Sequence, residues 1–298
     1  MRRVLITGAN KGLGLALAKN LLEKPEFYVL LGSRDVTRGE EALKSLLDIP
    51  ANEGRAELVQ IDVSDGTSIT KAAEQVTAKY GANSIYGVVN NAGLGSRSPG
   101  DEMMKVNYMG ARLVVDAFLP LLVENARIVN VSSIAGQYYF ASLSADVKEN
   151  IFLNPAVTCE QLDTMFNQVL AVKEKSEYTT LGLGDWTKED NFYSLSKAML
   201  LPLSVAQANK YPNLKVNSFE PGVVETDMTR PMFERMGDKS PFEKMGFPTT
   251  QPDAGVKGME HLLVADLEGN GRFYGSDCKR QKFDVVRKPF VDPPYEGP

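Results

Sequence analysis

At 298 residues, 43% of them hydrophobic and 24% charged, the chain has the make-up of a folded protein with a sizeable core and a length that one α/β domain can reach. Its net charge of −5 argues against non-specific binding to nucleic acid or to an anionic membrane, since both depend on an excess of Lys and Arg. One histidine, His261, and two cysteines without CxxC spacing, Cys159 and Cys278, cannot build a His-based zinc site or a Ser-His-Asp triad in the usual way, so no metal is expected.

Ahead of the first glycine stand two arginines and three apolar residues, Val4, Leu5 and Ile6. A signal peptide needs about 7–15 apolar residues, and no run approaches the ~18–20 that span a bilayer. With both cysteines read as free thiols, a cytoplasmic location is expected.

Short apolar runs bounded by Gly, Asn, Asp or Ser predict strands at 3–7, 27–32, 57–61, 85–90, 127–132 and 214–219, with a seventh at 272–274. Their Val, Leu and Ile content suits parallel strands buried on both faces. Helical patterns lie between them at about 12–23, 38–47, 67–80, 102–123, 191–209 and 252–267. The alternation predicts a single doubly wound Rossmann-type α/β domain over residues 1–298. Its sheet is seven-stranded and mostly parallel, with helices on both faces.

Two segments break the rhythm. Residues of about 137–190 form an insertion too long for a loop. Within it Thr158 and Gln161 match a capping box, and Leu162, Met165, Phe166, Val169 and Leu170 fall on one face of a helix predicted at 158–175. Residues of about 223–250 show no period and read as a mobile substrate loop. The tail after Ser276 is expected to be irregular.

The first strand runs into Thr7-Gly8-Ala9-Asn10-Lys11-Gly12-Leu13-Gly14 and then a helix. Glycines at this junction let the backbone turn tightly and approach a pyrophosphate set against the helix N-terminus. Arg34 follows the second strand, where a cation would face a 2′-phosphate, and Lys11 stands in the glycine loop. Arg offers a bidentate fork and Lys a point charge. Asp35 comes one residue late and is expected to face away or to cap the next helix. NADP(H) is favoured over NAD.

Tyr193 and Lys197, at i and i+4, share one helical face. A tyrosine with an ordinary pKa near 10 is a poor acid at neutral pH, and a neighbouring ammonium is expected to lower it. A hydroxyl from the Ser132-Ser133 pair after the fifth strand could hold a substrate oxygen beside the phenol.

Together with Asp62-Val63, Asn90-Asn91-Ala92-Gly93, Asn107 and Pro221-Gly222-Val223-Val224-Glu225-Thr226, these motifs resemble, in order and over nearly the whole chain, the short-chain dehydrogenase/reductase family. The resemblance implies roles residue by residue. Ser133 would be the catalytic serine and Ser132 its structural neighbour, with Tyr193 the proton donor. Lys197 would hold the nicotinamide ribose and acidify Tyr193. Asn107 would anchor a water in a proton relay. Gly8, Asn10, Lys11, Gly12, Leu13 and Gly14 would cradle the cofactor, with Asp62 and Val63 at the adenine and Asn90, Ala92 and Gly93 near the ribose. Pro221, Gly222, Val224 and Thr226 would line the nicotinamide side.

The stretches 7–18 and 33–40 and the insertion before Tyr193 resemble the monomeric carbonyl reductase-like subgroup. A monomer is implied, because such an insertion covers helices through which other members associate. So is NADPH-dependent reduction of a hydrophobic ketone, aldehyde or quinone. The alternative is the same chemistry dedicated to a steroid or a terpenoid or alkaloid ketone, and beyond that a non-catalytic NADP-binding sensor or scaffold. Tyr138–Leu143, Trp186 and Met228–Met236 are candidate pocket residues; Trp186 and the methionines could equally pack the insertion.

Overall fold

A computed structural model of the chain describes residues 1–187, 191–237, 240–267 and 269–297. The expected insertion therefore loses residues 188–190, and the expected substrate loop residues 238–239, which lie outside the described residues. In chain order the elements are β1 (Arg2–Ile6), α1 (Gly12–Leu22), β2 (Phe27–Ser33), α2 (Val36–Leu47), β3 (Ala56–Gln60), α3 (Gly66–Tyr80) and β4 (Ile85–Asn90). There follow α4 (Gly100–Met104), α5 (Gly110–Phe118), β5 (Leu122–Val131), α6 (Ile134–Tyr139), α7 (Ala145–Val147), α8 (Cys159–Ala171), α9 (Glu177–Thr180) and α10 (Phe192–Lys210). The last part holds β6 (Lys215–Phe219), β7 (Val223–Val224), α11 (Arg230–Met236), α12 (Ser240–Lys244), β8 (Thr249–Thr250), α13 (Pro252–Gly255), α14 (Lys257–Val264), β9 (Arg272–Tyr274) and β10 (Arg280–Gln281).

Period-two alternation within the strands sorts the core into two layers. Val4, Ile6, Val29, Leu31, Val129 and Val131 pack with Leu17 and Leu21 of α1 and Met259 and Leu263 of α14. The intervening Leu5, Leu30, Val88, Ile128 and Val216 pack with Ile69 and Val76 of α3 and Val114 and Phe118 of α5. Both faces of the sheet are thus buried under helices, as the continuous apolar runs require. The strand order is β3-β2-β1-β4-β5-β6-β9-β10, parallel throughout except for the antiparallel β9–β10 pair.

The expected seven strands become eight, because β10 closes the edge with only Arg280 and Gln281. Two residues carry no periodic signal. For the same reason the expected irregular loop at 223–250 hides structure: β7 and β8 pair in a small sheet of their own, flanking α11 and α12. The helix predicted at 102–123 is divided. Lys105–Met109 is a π-helical turn between α4 and α5, Pro120 has no N–H to continue a helix, and Leu122 already pairs with Ile85 of β4.

In the insertion the Thr158–Gln161 capping box forms in both directions at the start of α8. Leu162, Met165, Phe166 and Val169 pack with Leu195, Met199 and Leu203 of α10. A buried polar tie backs this up: Arg112 of α5 pairs with Asp116 and, at 3.5 Å, with Asp163 of α8, while the Tyr108 hydroxyl donates to Asp163 at 2.8 Å. Trp186 is 1% exposed and stacks on Tyr178 with ring centroids 3.8 Å apart. Its indole N–H donates to the Leu183 carbonyl oxygen at 2.9 Å. Trp186 therefore holds the insertion together and is not a pocket wall, and Tyr139 and Phe140 are likewise core.

Leu162 has no exposed surface, so Leu162→Ala should cost about 2–5 kcal/mol through lost burial and the cavity left. Urea unfolding followed by the fluorescence of Trp186, the chain's single tryptophan, measures this. A loss under ~1 kcal/mol would mean that α8 does not dock as described.

Candidate active site

The loops after β1 and β4 are tied into one floor. The Thr7 hydroxyl donates to the Val89 carbonyl oxygen at 3.3 Å and accepts from the Asn91 and Ala92 amides at 3.1 and 3.0 Å. The Asn91 side chain donates to the carbonyl oxygens of Thr7 (2.8 Å) and Gly8 (3.2 Å). Sequence reasoning did not assign Thr7 or Asn91 to the site, although both stand inside the motifs; their contacts span more than 80 residues and carry no local signal. Gly8 has φ +63°, and a Cβ there would lie 2.9 Å from the Ala92 Cα. At Gly14 a Cβ would lie 2.6 Å from the Asn91 Nδ2.

Gly12 also has a positive φ, +55°, and a Cβ on it would meet only the Thr226 Cγ2, at 3.8 Å. Helix α1 starts here with no side-chain cap and no acid in its first turn. Its first amides and the helix dipole are left to an anion. An open backbone cradle on a bare helix N-terminus fits the pyrophosphate of a dinucleotide. Asn10 and Leu13 are partly exposed beside it.

The cations expected for a 2′-phosphate differ in their surroundings. Arg34 is exposed just after β2. Asp35 caps α2 by accepting from the Arg38 amide at 3.0 Å. Lys11 is drawn to Asp227 at 3.2 Å, and Asp227 also pairs with Arg230 at 3.1 Å. Asp62 accepts from the Ser64 amide and hydroxyl at 2.9 and 2.7 Å, forming a turn after β3, and Val63 is buried there against Gly110. The Asn90 side chain lies in the interior, donating to Asn130 at 2.8 Å, and Asn130 goes on to Ser204 and Gln207.

The reacting groups meet where β5 ends. Ser132 donates to the Lys197 carbonyl oxygen at 2.7 Å and is 2% exposed. Ser133 caps α6, accepting from the Ala135 amide at 3.2 Å, and its side chain lies beside the Tyr193 phenol, near enough to favour the phenolate. Lys197 donates to the Val131 carbonyl oxygen at 2.8 Å. A Cβ on Gly93 would lie 3.4 Å from both the Lys197 Nζ and the Asn107 Oδ1, so all three groups crowd one spot. Asn107, in the π-helical turn, accepts from the Leu94 amide at 2.7 Å and donates to the Leu94 carbonyl oxygen and the Ser196 hydroxyl at 3.0 and 2.9 Å.

The electrostatics depart from the expectation that Lys197 lowers the Tyr193 pKa. Burial pushes the phenol up, and the Ser133 side chain beside it only partly opposes this. The ammonium is spent on Val131, and burial drives its own pKa down to about 8. The phenol is thus held protonated at neutral pH.

Thr226 faces Gly12 across the cleft, and the Gly222 amide donates to the Glu220 carboxylate at 2.7 Å. Met228 closes over Gly95, where a Cβ would lie 2.9 Å from its Cγ. Of the expected pocket residues, Tyr138, Met228 and Met236 are exposed.

Residues 2–145 match the family model described as short chain dehydrogenase, and a relative is 32% identical with 84% of its length covered. The chain belongs to the short-chain dehydrogenase/reductase family. That relative is the (+)-neomenthol dehydrogenase of Arabidopsis thaliana, aligned over 262 residues and 76% of this chain. Carbonyl reductase [NADPH] 1 of Homo sapiens is 29% identical over 264 residues, 84% of this chain and 91% of its own. Among solved structures, salutaridine reductase from Papaver somniferum superposes with a TM-score of 0.74 at 25% identity, covering 92% of this chain and 99% of that one.

Because Lys197 has a folded pKa below its ordinary 10.5, its buried ammonium costs stability fully below about pH 8. That cost fades as pH rises to 10.5, where the unfolded chain also loses the proton. Lys197→Met should therefore raise the Tm at neutral pH, with the gap to wild type closing between pH 8 and 10.5. A gap that does not narrow would contradict the burial described.

Proposed function

We propose that this chain is an NADPH-dependent carbonyl reductase, acting as one domain over residues 1–298 on a hydrophobic ketone, aldehyde or quinone. The observation that carries this reading is the Tyr193 phenol set beside the Ser133 side chain, with Lys197 one helical turn further on. A protonated phenol next to a serine hydroxyl is what a carbonyl oxygen needs as it becomes an alkoxide.

Gly8, Asn10, Gly12, Leu13 and Gly14 would hold the pyrophosphate, and Asp62 and Val63 would flank the adenine. Arg34 and Lys11 would meet the 2′-phosphate, for which Lys11 would have to leave Asp227. Ala92, Gly93, Tyr193 and Lys197 would border the nicotinamide ribose. Asn90 would act from beneath, through the sheet. Pro221, Gly222, Val224 and Thr226 would border the carboxamide side. When bound, the cofactor supplies a hydride from C4 of its nicotinamide.

The chain's own residues do the rest. Ser133 donates a hydrogen bond to the substrate oxygen and fixes it beside Tyr193, which gives up its phenolic proton to that oxygen. The Lys197 ammonium then stabilises the phenolate left behind. Asn107, clamped on Leu94 and Ser196, keeps the turn by Lys197 open to a water that returns a proton from solvent. The exposed Tyr138 and Met228 favour an apolar substrate.

A dedicated terpenoid or alkaloid ketone reductase is the second reading, favoured by the likeness to neomenthol dehydrogenase and salutaridine reductase. A monomer is proposed because α8 and its polar tie cover the outer face of α5 and α10. A cytoplasmic location is proposed from two cysteines that stay unbridged.

NADPH consumption with a panel of ketones and quinones tests the activity. Tyr193→Phe should bind NADPH as wild type does while losing at least about 100-fold in turnover; full activity in that variant would remove the proton donor from the scheme. Arg34→Glu should weaken NADPH roughly tenfold or more and leave NADH little changed, read from cofactor fluorescence. An equal loss for both cofactors would take Arg34 away from the 2′-phosphate.

A further inference from the structure

Glu220 directly follows β6, is 2% exposed and has no ion-pair partner among the described residues. A buried carboxylate is stable only if it is paired, richly hydrogen-bonded or protonated. This one accepts three N–H groups: the Gly222 amide at 2.7 Å, the Ser276 amide at 3.3 Å and the Gln281 side chain at 3.1 Å. It thereby joins the turn that opens the Pro221–Thr226 loop to the β9–β10 hairpin. Gly222 sits there at φ +74°, with its position for a Cβ 3.2 Å from the Ser276 hydroxyl.

A second buried carboxylate stands next to it. Asp277 is paired with Arg287, both almost fully buried, and also accepts from the Lys279 and Phe290 amides at 3.2 and 3.1 Å. The cluster therefore holds two buried carboxyl groups and one guanidinium, and the guanidinium is committed to Asp277. Other ionisable groups on the elements around Glu220 include Arg272 and Tyr274 of β9, Cys278 and Lys279 of the hairpin turn, Arg280 of β10, Lys215 of β6, Glu225 of the loop, and Lys257, Glu260 and His261 of α14. Burial, helped by the charge of Asp277, pushes the Glu220 carboxyl up to about 7.

We propose that Glu220 is a positioning residue for the cofactor: its ionised carboxylate holds the Gly222 amide, and with it the loop to Thr226, in the conformation that binds the nicotinamide end. Protonation converts a charge-assisted acceptor into a neutral one and slackens that loop. The inference rests on the reductase reading, because it takes the Pro221–Thr226 loop as a wall of the cofactor site. It gives fold and function opposite pH slopes. A carboxyl whose folded pKa is raised favours the fold at low pH and loses that advantage as pH rises from 4.5 to about 7, whereas loop positioning improves as the folded carboxyl ionises around pH 7.

The test is NADPH binding by fluorescence from about pH 5.5 to about 8.5, in wild type and Glu220→Gln. Taking the ratio of the two dissociation constants cancels the titrations that both proteins share, Lys197 and the cofactor phosphates included. The expected ratio is near one at low pH and roughly tenfold weaker for the variant at high pH, the scale of one charge-assisted hydrogen bond. Over the same range the Tm of Glu220→Gln should rise relative to wild type. A ratio that does not change with pH would overturn the proposal, as would a variant that binds as tightly as wild type at about pH 8.5.

A second variant serves if Glu220→Gln fails to fold. Asp277→Asn removes the neighbouring charge that helps keep the Glu220 proton on, so it should bind NADPH more tightly than wild type at about pH 6 and equally at about 8.5; identical profiles would overturn the proposal. Absence of NADPH binding by wild type would instead remove the reductase reading, and this proposal with it.

Discussion

The Lys197 side chain reaches from α10 to the carbonyl oxygen of Val131 at the end of β5, and Ser132 returns the contact by donating to the Lys197 carbonyl oxygen. This pair of bonds sets α10 against the sheet edge at a fixed height. The approach is closer than a side chain on α6 would allow: a Cβ on Gly136 would lie 2.8 Å from the Lys197 carbonyl carbon and the Ala198 amide. With α10 seated there, Tyr193 reaches Ser133, Ser196 reaches Asn107, and Gly93 comes under the ammonium. The glycine loop is held to the same frame from the other side, through Thr7 and Asn91.

The same burial that fixes the geometry also sets the chemistry. Desolvation disfavours the charged form of each group, so it keeps the Tyr193 phenol protonated and brings Lys197 down to about 8. A protonated phenol is the form that a carbonyl reduction requires. A buried ammonium whose acceptor among the described residues is the Val131 carbonyl oxygen is poised to respond when a phenolate forms beside it. The stability cost of that lysine is carried by the surrounding packing, notably the α8–α10 contact in the insertion.

Much of this was legible in the sequence for a physical reason. Strands buried on both faces need uninterrupted apolar runs, so β1, β2 and β4 announce themselves. The glycine loop and the i, i+4 spacing of Tyr193 and Lys197 are local features of backbone and helix geometry. What was hidden was either too short or too distant. β10 and the β7–β8 pair have two residues per strand, and the π-helical turn around Asn107 looks like any helix in its hydrophobic pattern. Asn90 carries the expected motif, yet its side chain serves a buried network with Asn130. Trp186 reads equally as pocket wall or as packing of the insertion by type, and is core by packing. Glu220 gave no signal beside Pro221-Gly222, because its partners Ser276 and Gln281 lie more than 50 residues away.

The central claim is that this cleft delivers a hydride and a proton to one carbonyl group. The most direct measurement is turnover with NADPH carrying deuterium at the transferring C4 position, using a hydrophobic ketone and mass spectrometry of the alcohol. The expected result is one deuterium per product molecule, on the carbinol carbon and retained in water, while the new hydroxyl proton exchanges with solvent. Cofactor binding without any labelled alcohol from ketones or aldehydes, and without NADPH oxidation by quinones, would contradict it.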